Sequence, residues 1–250
     1  MATGRKRGLS AISEFRSPRH LRLNIAARVA LLLVFTSGAV WFFFHLPDNI
    51  NPFSPLEIAD EPNLVTPLKL RILGARPEAC AGVIKRAGVE VTRAPILSAA
   101  PDCGADDAMT LRKSLVVYGD GVEMTCLALT ALMIWERHVA IPAAHEEMGA
   151  DLTRIVHYGS YQCRNVNGAR EGKRSKHATA RAVDIAGFQF SDGQKISVLK
   201  DWGQDTPAGR YLKRAHDGAC EVFNGVLGPD YNALHANHFH FERGAWNYCK

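Results

Sequence analysis

Between Val29 and Phe44 the chain reads Val-Ala-Leu-Leu-Leu-Val-Phe-Thr-Ser-Gly-Ala-Val-Trp-Phe-Phe-Phe, sixteen positions without a charge, bounded by Arg28 and His45. This run leaves few folds open, because it separates a short head from a long body that must build its core alone. At about 1.5 Å per residue it falls short of a hydrocarbon core roughly 30 Å thick, so a spanning helix must also recruit Ile25 to Ala27 and Leu46, or extend Arg28 toward the headgroups. Trp41 suits the interfacial belt. A cleaved signal peptide is the rival reading, with Ser37 and Ala39 as the small residues of a cleavage site. An uncleaved anchor over residues 29–46 is preferred, since cleavage there would leave Trp-Phe-Phe-Phe as the new terminus.

The head is basic: Arg5, Lys6, Arg7, Arg16, Arg19, Arg22 and Arg28 face only Glu14. By the positive-inside rule, residues 1–28 are expected in the cytoplasm, and the body beyond the anchor in the periplasm, tethered to the inner membrane. The formal charge of +5 comes from this head, and from residue 46 onward the charges nearly cancel. A nucleic-acid partner is therefore not expected, since it needs a basic face on the folded domain. All six cysteines, at 80, 103, 126, 163, 220 and 249, follow the apolar run, and none forms a Cys-x-x-Cys pair. An even number in an exported body points to disulfides, for which about 15 pairings are open. The expectation is sequential pairing: Cys80 with Cys103, Cys126 with Cys163, and Cys220 with Cys249.

Residues 47–67 carry Pro47, Pro52, Pro55, Pro62 and Pro67 with little periodicity and read as an extended linker, placing the domain at 68–250. Thr125 to Val139 is the clearest helix, with Leu127, Leu129, Leu132, Met133 and Trp135 on a largely buried face, and Pro142 to Gly149 predicts a second short one. Strands are predicted over Leu152 to Tyr158, Ala182 to Phe188 and His238 to Glu242, and a helix over Pro207 to Phe223. Helices and short strands without a regular βαβ rhythm predict an α+β domain, with a small, mostly antiparallel sheet flanked by helices.

Two clusters carry chemistry. The first is Ser175-Lys-His177-Ala-Thr-Ala-Arg-Ala-Val-Asp184, and the second is His235-Ala-Asn-His238-Phe-His240-Phe-Glu242. On an extended segment His238 and His240 share a face, because the side-chain period is two. His177 and Asp184 can converge with them across two helical turns or along a turn followed by a strand. Imidazole nitrogen and carboxylate oxygen both suit Zn²⁺, and three protein ligands with an open fourth position mark catalytic zinc sites. Zinc there lowers the pKa of bound water to about 7 and polarises a carbonyl. Ser175 lacks the surrounding Gly-x-Ser-x-Gly of a nucleophile elbow and reads as a hydroxyl that orients a ligand. Asp201 and Trp202 read as a turn and its packing anchor, and the histidines at 20, 45, 138, 145, 157 and 216 as solvated or structural.

Ser-x-His-x(6)-Asp followed by His-x-His resembles the signature of D-alanyl-D-alanine carboxypeptidases, vancomycin-resistance dipeptidases and penicillin-insensitive murein endopeptidases. Residues from about Cys80 to Cys249 more closely resemble the bacterial extensin-like C-terminal domain family. That likeness rests on Gly159-Ser-Tyr-Gln-Cys-Arg164, Ser175-Lys-His177-Ala, Asp184-Ile-Ala-Gly-Phe188, Asp201-Trp202 and Leu227-Gly-Pro-Asp-Tyr-Asn-Ala-Leu-His235. The resemblance implies a zinc-peptidase-like fold with His177, Asp184 and His240 as ligands. It makes His238 a neighbouring group that stabilises the transition state or moves protons, and it also matches His235. Arg164, with Tyr161, is implied as a holder of substrate carboxylate or oxyanion, although at an unusual spacing.

Two positions depart from the pattern. Asn237 stands where one branch carries a glutamate base, so the base should be His238, then His235 or Glu242. Ala180 stands where a glycine is usual. The resemblance implies an envelope zinc hydrolase that binds peptidoglycan stem or cross-link peptides and cuts an amide next to D-alanine. The alternatives are an inactive, metal-pinned wall-binding module, favoured by Asn237, and a disulfide domain without metal.

Overall fold

In the computed structural model of the protein the described residues run from 18 to 250, with side chains from residue 24. The expectations for Arg5, Lys6, Arg7 and Arg16, and for the side chains of Arg19 and Arg22, lie outside that span. The chain divides into two compact units, the first ending at Pro47 and the second covering Asp48–Lys250.

The first unit holds one helix, α1 (Pro18–Phe44), whose Asn24–Phe44 portion is 21 residues long and has no buried face. At about 1.5 Å per residue this portion matches the thickness of a bilayer core, with Ile25 to Ala27 recruited and Arg28 inside the helix. Thr36 turns its hydroxyl back to donate to the Leu32 carbonyl at 2.9 Å, so its polar atom is satisfied within the helix. An apolar helix of this kind can anchor in a membrane.

In the second unit, residues 48–65 lie against the domain instead of forming the expected extended spacer. Leu56 and Ile58 are buried, Lys69 Nζ donates to the Asp48 carbonyl at 2.6 Å and to Ser54 Oγ at 2.9 Å, and Arg86 pairs with Glu57. Five prolines mask this docking in the sequence, because the two anchoring apolar side chains are too few to make a period. Two helices follow, α2 (Thr66–Gly74) and α3 (Pro77–Arg86), each opened by a proline in its first turn, where no backbone donor is lost. A strand pair unforeseen in the sequence comes next: β2 (Ala108–Lys113) and β3 (Val117–Thr125), with the short β1 (Thr92–Arg93) at the edge.

The predicted core helix is α4 (Cys126–Trp135), in which every residue but Leu127 is buried. It continues through a π turn (Glu136–Ala140), α5 (Ile141–Ala143) and a second π turn to Met148, ending at left-handed Gly149. The Cys126–Met148 stretch is long and apolar enough to cross a membrane, yet it is mostly buried within the domain, and α2 and α3 pack on α4. Trp135 meets Phe241 edge-on at 5.2 Å and donates from Nε1 to the Ala215 carbonyl at 2.8 Å.

The remaining elements are β4 (Leu152–Gly159), β5 (Ala182–Phe190), β6 (Lys195–Ser197), α6 (Val198–Asp201), α7 (Pro207–Ala219), β7 (Gly225–Leu227), β8 (Phe239–Glu242) and β9 (Tyr248–Cys249). The sheet has the order β1-β2-β3-β4-β5-β8-β7-β9, with β6 also paired to β5. All pairings are antiparallel except β3 with β4 and β7 with β9, so the domain is α+β with a mostly antiparallel sheet, as expected. Asp201 accepts from the Ser197 backbone and Trp202 packs on His216 and Phe239, in keeping with the turn-and-anchor reading.

Two of the expected disulfides are corrected. The bridges are Cys80–Cys126, Cys103–Cys163 and Cys220–Cys249, so only the last matches, and no cysteine is free. The intervening β2–β3 pair brings α3 alongside α4, making Cys126 rather than Cys103 the spatial neighbour of Cys80.

Candidate metal centre

His177, Asp184 and His240 come from three places in the sequence and meet at one point. A short 3-10 turn, Lys176–Thr179, carries His177, and Ser175 caps it by accepting from the His177 N–H at 3.3 Å. Ser175 thus fixes His177 through the backbone of its turn. The turn closes at Ala180, at φ 51°, and the chain then enters β5. That left-handed backbone is where a glycine costs least, which gives the glycine usual at this position its physical reason. Of the two routes the sequence left open, His177 and Asp184 take the turn followed by a strand. On the next strand His240 lies directly opposite Asp184.

Nε2 of His177 is 3.1 Å from Oδ1 of Asp184 and 3.1 Å from Nδ1 of His240, and that Nδ1 is 3.0 Å from the same Oδ1. The outer ring nitrogens assign the tautomers. His177 Nδ1 faces the Ser160 carbonyl at 3.0 Å and must donate to it, while His240 Nε2 faces Glu242 Oε2 at 3.0 Å and donates there. In its neutral form each ring therefore turns a lone pair inward, toward the lone pairs of Asp184. Three mutually close acceptors need a cation between them.

A proton on His240 Nδ1, shared with Asp184, serves as that cation until a metal displaces it. Burial opposes a charged His240, but its hydrogen bonds to Asp184 and Glu242 outweigh that and raise its pKa to about 9. Burial also opposes a charged Asp184, yet the adjoining His177 and His240 rings hold its carboxyl far below the usual carboxylate range. The donor set fits a divalent ion with zinc's preferences. Bonds of about 2.0–2.1 Å at tetrahedral angles put ligand atoms roughly 3.3 Å apart, within a few tenths of an ångström of the 3.0–3.1 Å spacing here.

His238 stands just before β8, which starts at Phe239, and shares the site-facing side with His240. Its Nδ1 lies 2.8 Å from Asn237 Oδ1, and its Nε2 is 3.6 Å from Asp184 Oδ1, outside hydrogen-bond reach. His235 is anchored in the same manner, Nδ1 to Asn232 Oδ1 at 2.8 Å. Burial lowers the pKa of both rings, that of His235 to about 4 with the neighbouring His238 and His240 contributing. Both therefore present neutral imidazoles with Nε2 free to accept. Glu242, weighed above as a base, sits behind His240 and also takes the Tyr248 hydroxyl, which suits it to orienting the His240 ring.

An open cleft of about 810 Å³ is lined by His235, His238, His240 and Glu242 together with Arg164. Arg164 donates from Nε to Gln162 Oε1, leaving the rest of its guanidinium available. Tyr161 is not among the lining residues. Sequence reasoning passed over Ser160, Asn232 and Tyr248, which orient the site. Ser160 acts through a backbone carbonyl, which leaves no side-chain signature, while its hydroxyl accepts from the Glu123 N–H at 2.8 Å.

The family model for the extensin-like protein C-terminus matches residues 78–250. The chain belongs to this family. Neither the curated proteins nor the solved structures give a match to it. The matched region of this extensin-like protein takes in all three ligand candidates, both further histidines and every cysteine.

Proposed function

We propose that this extensin-like protein is a membrane-anchored periplasmic zinc hydrolase acting on peptidoglycan stem or cross-link peptides, with His177, Asp184 and His240 as the zinc ligands. The observation that carries the reading is the convergence of three inward lone pairs at 3.0–3.1 Å, with His240 also lining an open cleft, beside two neutral histidines that are not needed to complete the triad. Bound zinc would polarise the scissile carbonyl and acidify a water. His238, kept neutral by burial and anchored through Nδ1, takes a proton at Nε2 and returns it to the leaving amine. Arg164, at the cleft wall, holds a carboxylate or a developing oxyanion. The fold relation to D-alanyl-D-alanine metallopeptidases belongs to this same reading and rests on the spacing of the ligand motif.

Support for the location comes from α1 and the cysteines. Three disulfides in the domain favour an oxidising compartment, and the basic head favours retention of the amino end in the cytoplasm. The test is zinc content of the full-length protein in detergent, with turnover of cross-linked muropeptides. Stoichiometric zinc with released peptide supports the hydrolase. Stoichiometric zinc with muropeptide binding but no cleavage supports the second reading, a metal-pinned wall-binding module, which Asn237 favours by offering an amide to His238 in place of a carboxylate base. Absence of zinc overturns both.

A further inference from the structure

The charges around the cleft are one-sided. Arg164, Lys173, Arg174 and Lys176 line it from the loop that leads into His177, and the acid among the lining residues is Glu242, already engaged by His240 and Tyr248. The two arginines spend their hydrogen bonds on neutral oxygens, Arg164 on Gln162 and Arg174 on the Pro101 carbonyl and Asn165. None of the four is in an ion pair among the described residues, and Lys176 acts on Glu242 only through its field, helping to lower the Glu242 pKa. Unpaired charge of one sign in a concave, low-dielectric site focuses its field on whatever enters.

The segments before and after β8 bring side chains of a different character to the same cleft. Trp246 is 80% exposed, Leu234 59% and Tyr231 50%, and all three line the same cleft. Large apolar side chains left open beside unpaired cations fit a ligand with carboxylates on one side and apolar surface on the other.

We propose that the cleft recognises an acidic peptide carrying at least two side-chain carboxylates, drawn in by the Arg164–Lys176 loop and laid against Trp246, Leu234 and Tyr231. This assignment rests on the hydrolase reading of the metal centre for its choice of a peptide over other polyanions. The peptide's carboxylates meet the loop cations, and its backbone then runs past His235 and His238 toward the triad.

The experiment titrates fluorescein-labelled hexaglutamate and hexaglutamine into the full-length protein in neutral detergent, both zinc-loaded and chelator-treated, with polygalacturonate as a rival polyanion. Hexaglutamate should bind and hexaglutamine should not, with affinity falling about tenfold between low and near-physiological salt. Lys173→Glu, at a residue without an ion-pair partner, should weaken hexaglutamate binding at least about tenfold through charge reversal, and Trp246→Ala should weaken it with the salt dependence unchanged. Equal binding of the two peptides, binding of neither, or binding of polygalacturonate but not hexaglutamate overturns the proposal. Zinc content and muropeptide turnover, measured on the same preparations, report separately on the hydrolase reading. Hexaglutamate binding by a zinc-free, inactive protein would sink that reading and leave the cleft's preference for acidic peptides standing.

Discussion

Glu242→Gln tests the metal centre without touching a ligand. Glu242 accepts from His240 Nε2 at 3.0 Å, and together with Asp184 it raises the His240 pKa to about 9. An incoming ion must displace that proton. Two pH units below the pKa the competition costs about 100-fold in affinity, so zinc binding should tighten about tenfold per pH unit from 7 to 9 and level off above, with about one proton released per ion at neutral pH. His235 and His238 titrate lower, which keeps them out of this range. The glutamine keeps a hydrogen bond to the ring but removes one of the two negative charges that hold its proton. The His240 pKa should fall toward its ordinary value and the plateau should start at lower pH, while the less basic ring should bind zinc about 10–100-fold more weakly at pH 9. Near pH 7 the two effects oppose each other and the variants should be close. Chelator-buffered zinc titrations of the full-length protein in detergent from pH 6 to 10, with calorimetry in two buffers to count protons, read both quantities. A parent affinity that stays flat from pH 7 to 9, or a variant with the parent's pH dependence and an unshifted plateau, would refute the reasoning.

Within the His-x-His pair, His240→Ala should abolish stoichiometric zinc, whereas His238→Ala should keep it and lose muropeptide turnover by at least about 100-fold; the reverse pattern in elemental analysis would exchange their roles. Peptide mapping without reductant should recover Cys80 linked to Cys126 and Cys103 linked to Cys163, and replacing the first pair by serine should cost about 2–5 kcal/mol in denaturant unfolding. Trp135→Ala removes a fully buried ring and its hydrogen bond to Ala215, and a loss of about 3–5 kcal/mol is expected from the same measurement. A periplasm-active reporter fused after Lys250 should be functional, and activity confined to a cytoplasmic reporter would reverse the proposed orientation.

What could be read in the sequence follows from how each signal is encoded. The period of two that puts His238, His240 and Glu242 on one side survives in the structure because β8 pairs with β5 over its whole length. The α4 helix was legible from its apolar run, although burial on nearly every side exceeds the single face that periodicity implies. The β2–β3 pair was missed because its buried residues are spread among Gly119, Gly121 and charged positions, so its alternation is faint. That omission bears on the cysteines, since the β2–β3 pair lies between Cys103 and Cys126, and in the folded domain Cys126 meets Cys80 while Cys103 meets Cys163. Residues 48–65 were misread for a related reason: two buried apolar side chains and Lys69, which reaches back to two backbone carbonyls and the Ser54 hydroxyl, fix a segment that carries no periodic pattern. The candidate triad was legible as residue types in a spacing, but the orientation of its rings was not, because it depends on one backbone carbonyl at Ser160 and one carboxylate at Glu242. Motif spacing therefore locates ligand candidates, while the groups that aim their lone pairs emerge only when distant strands are paired.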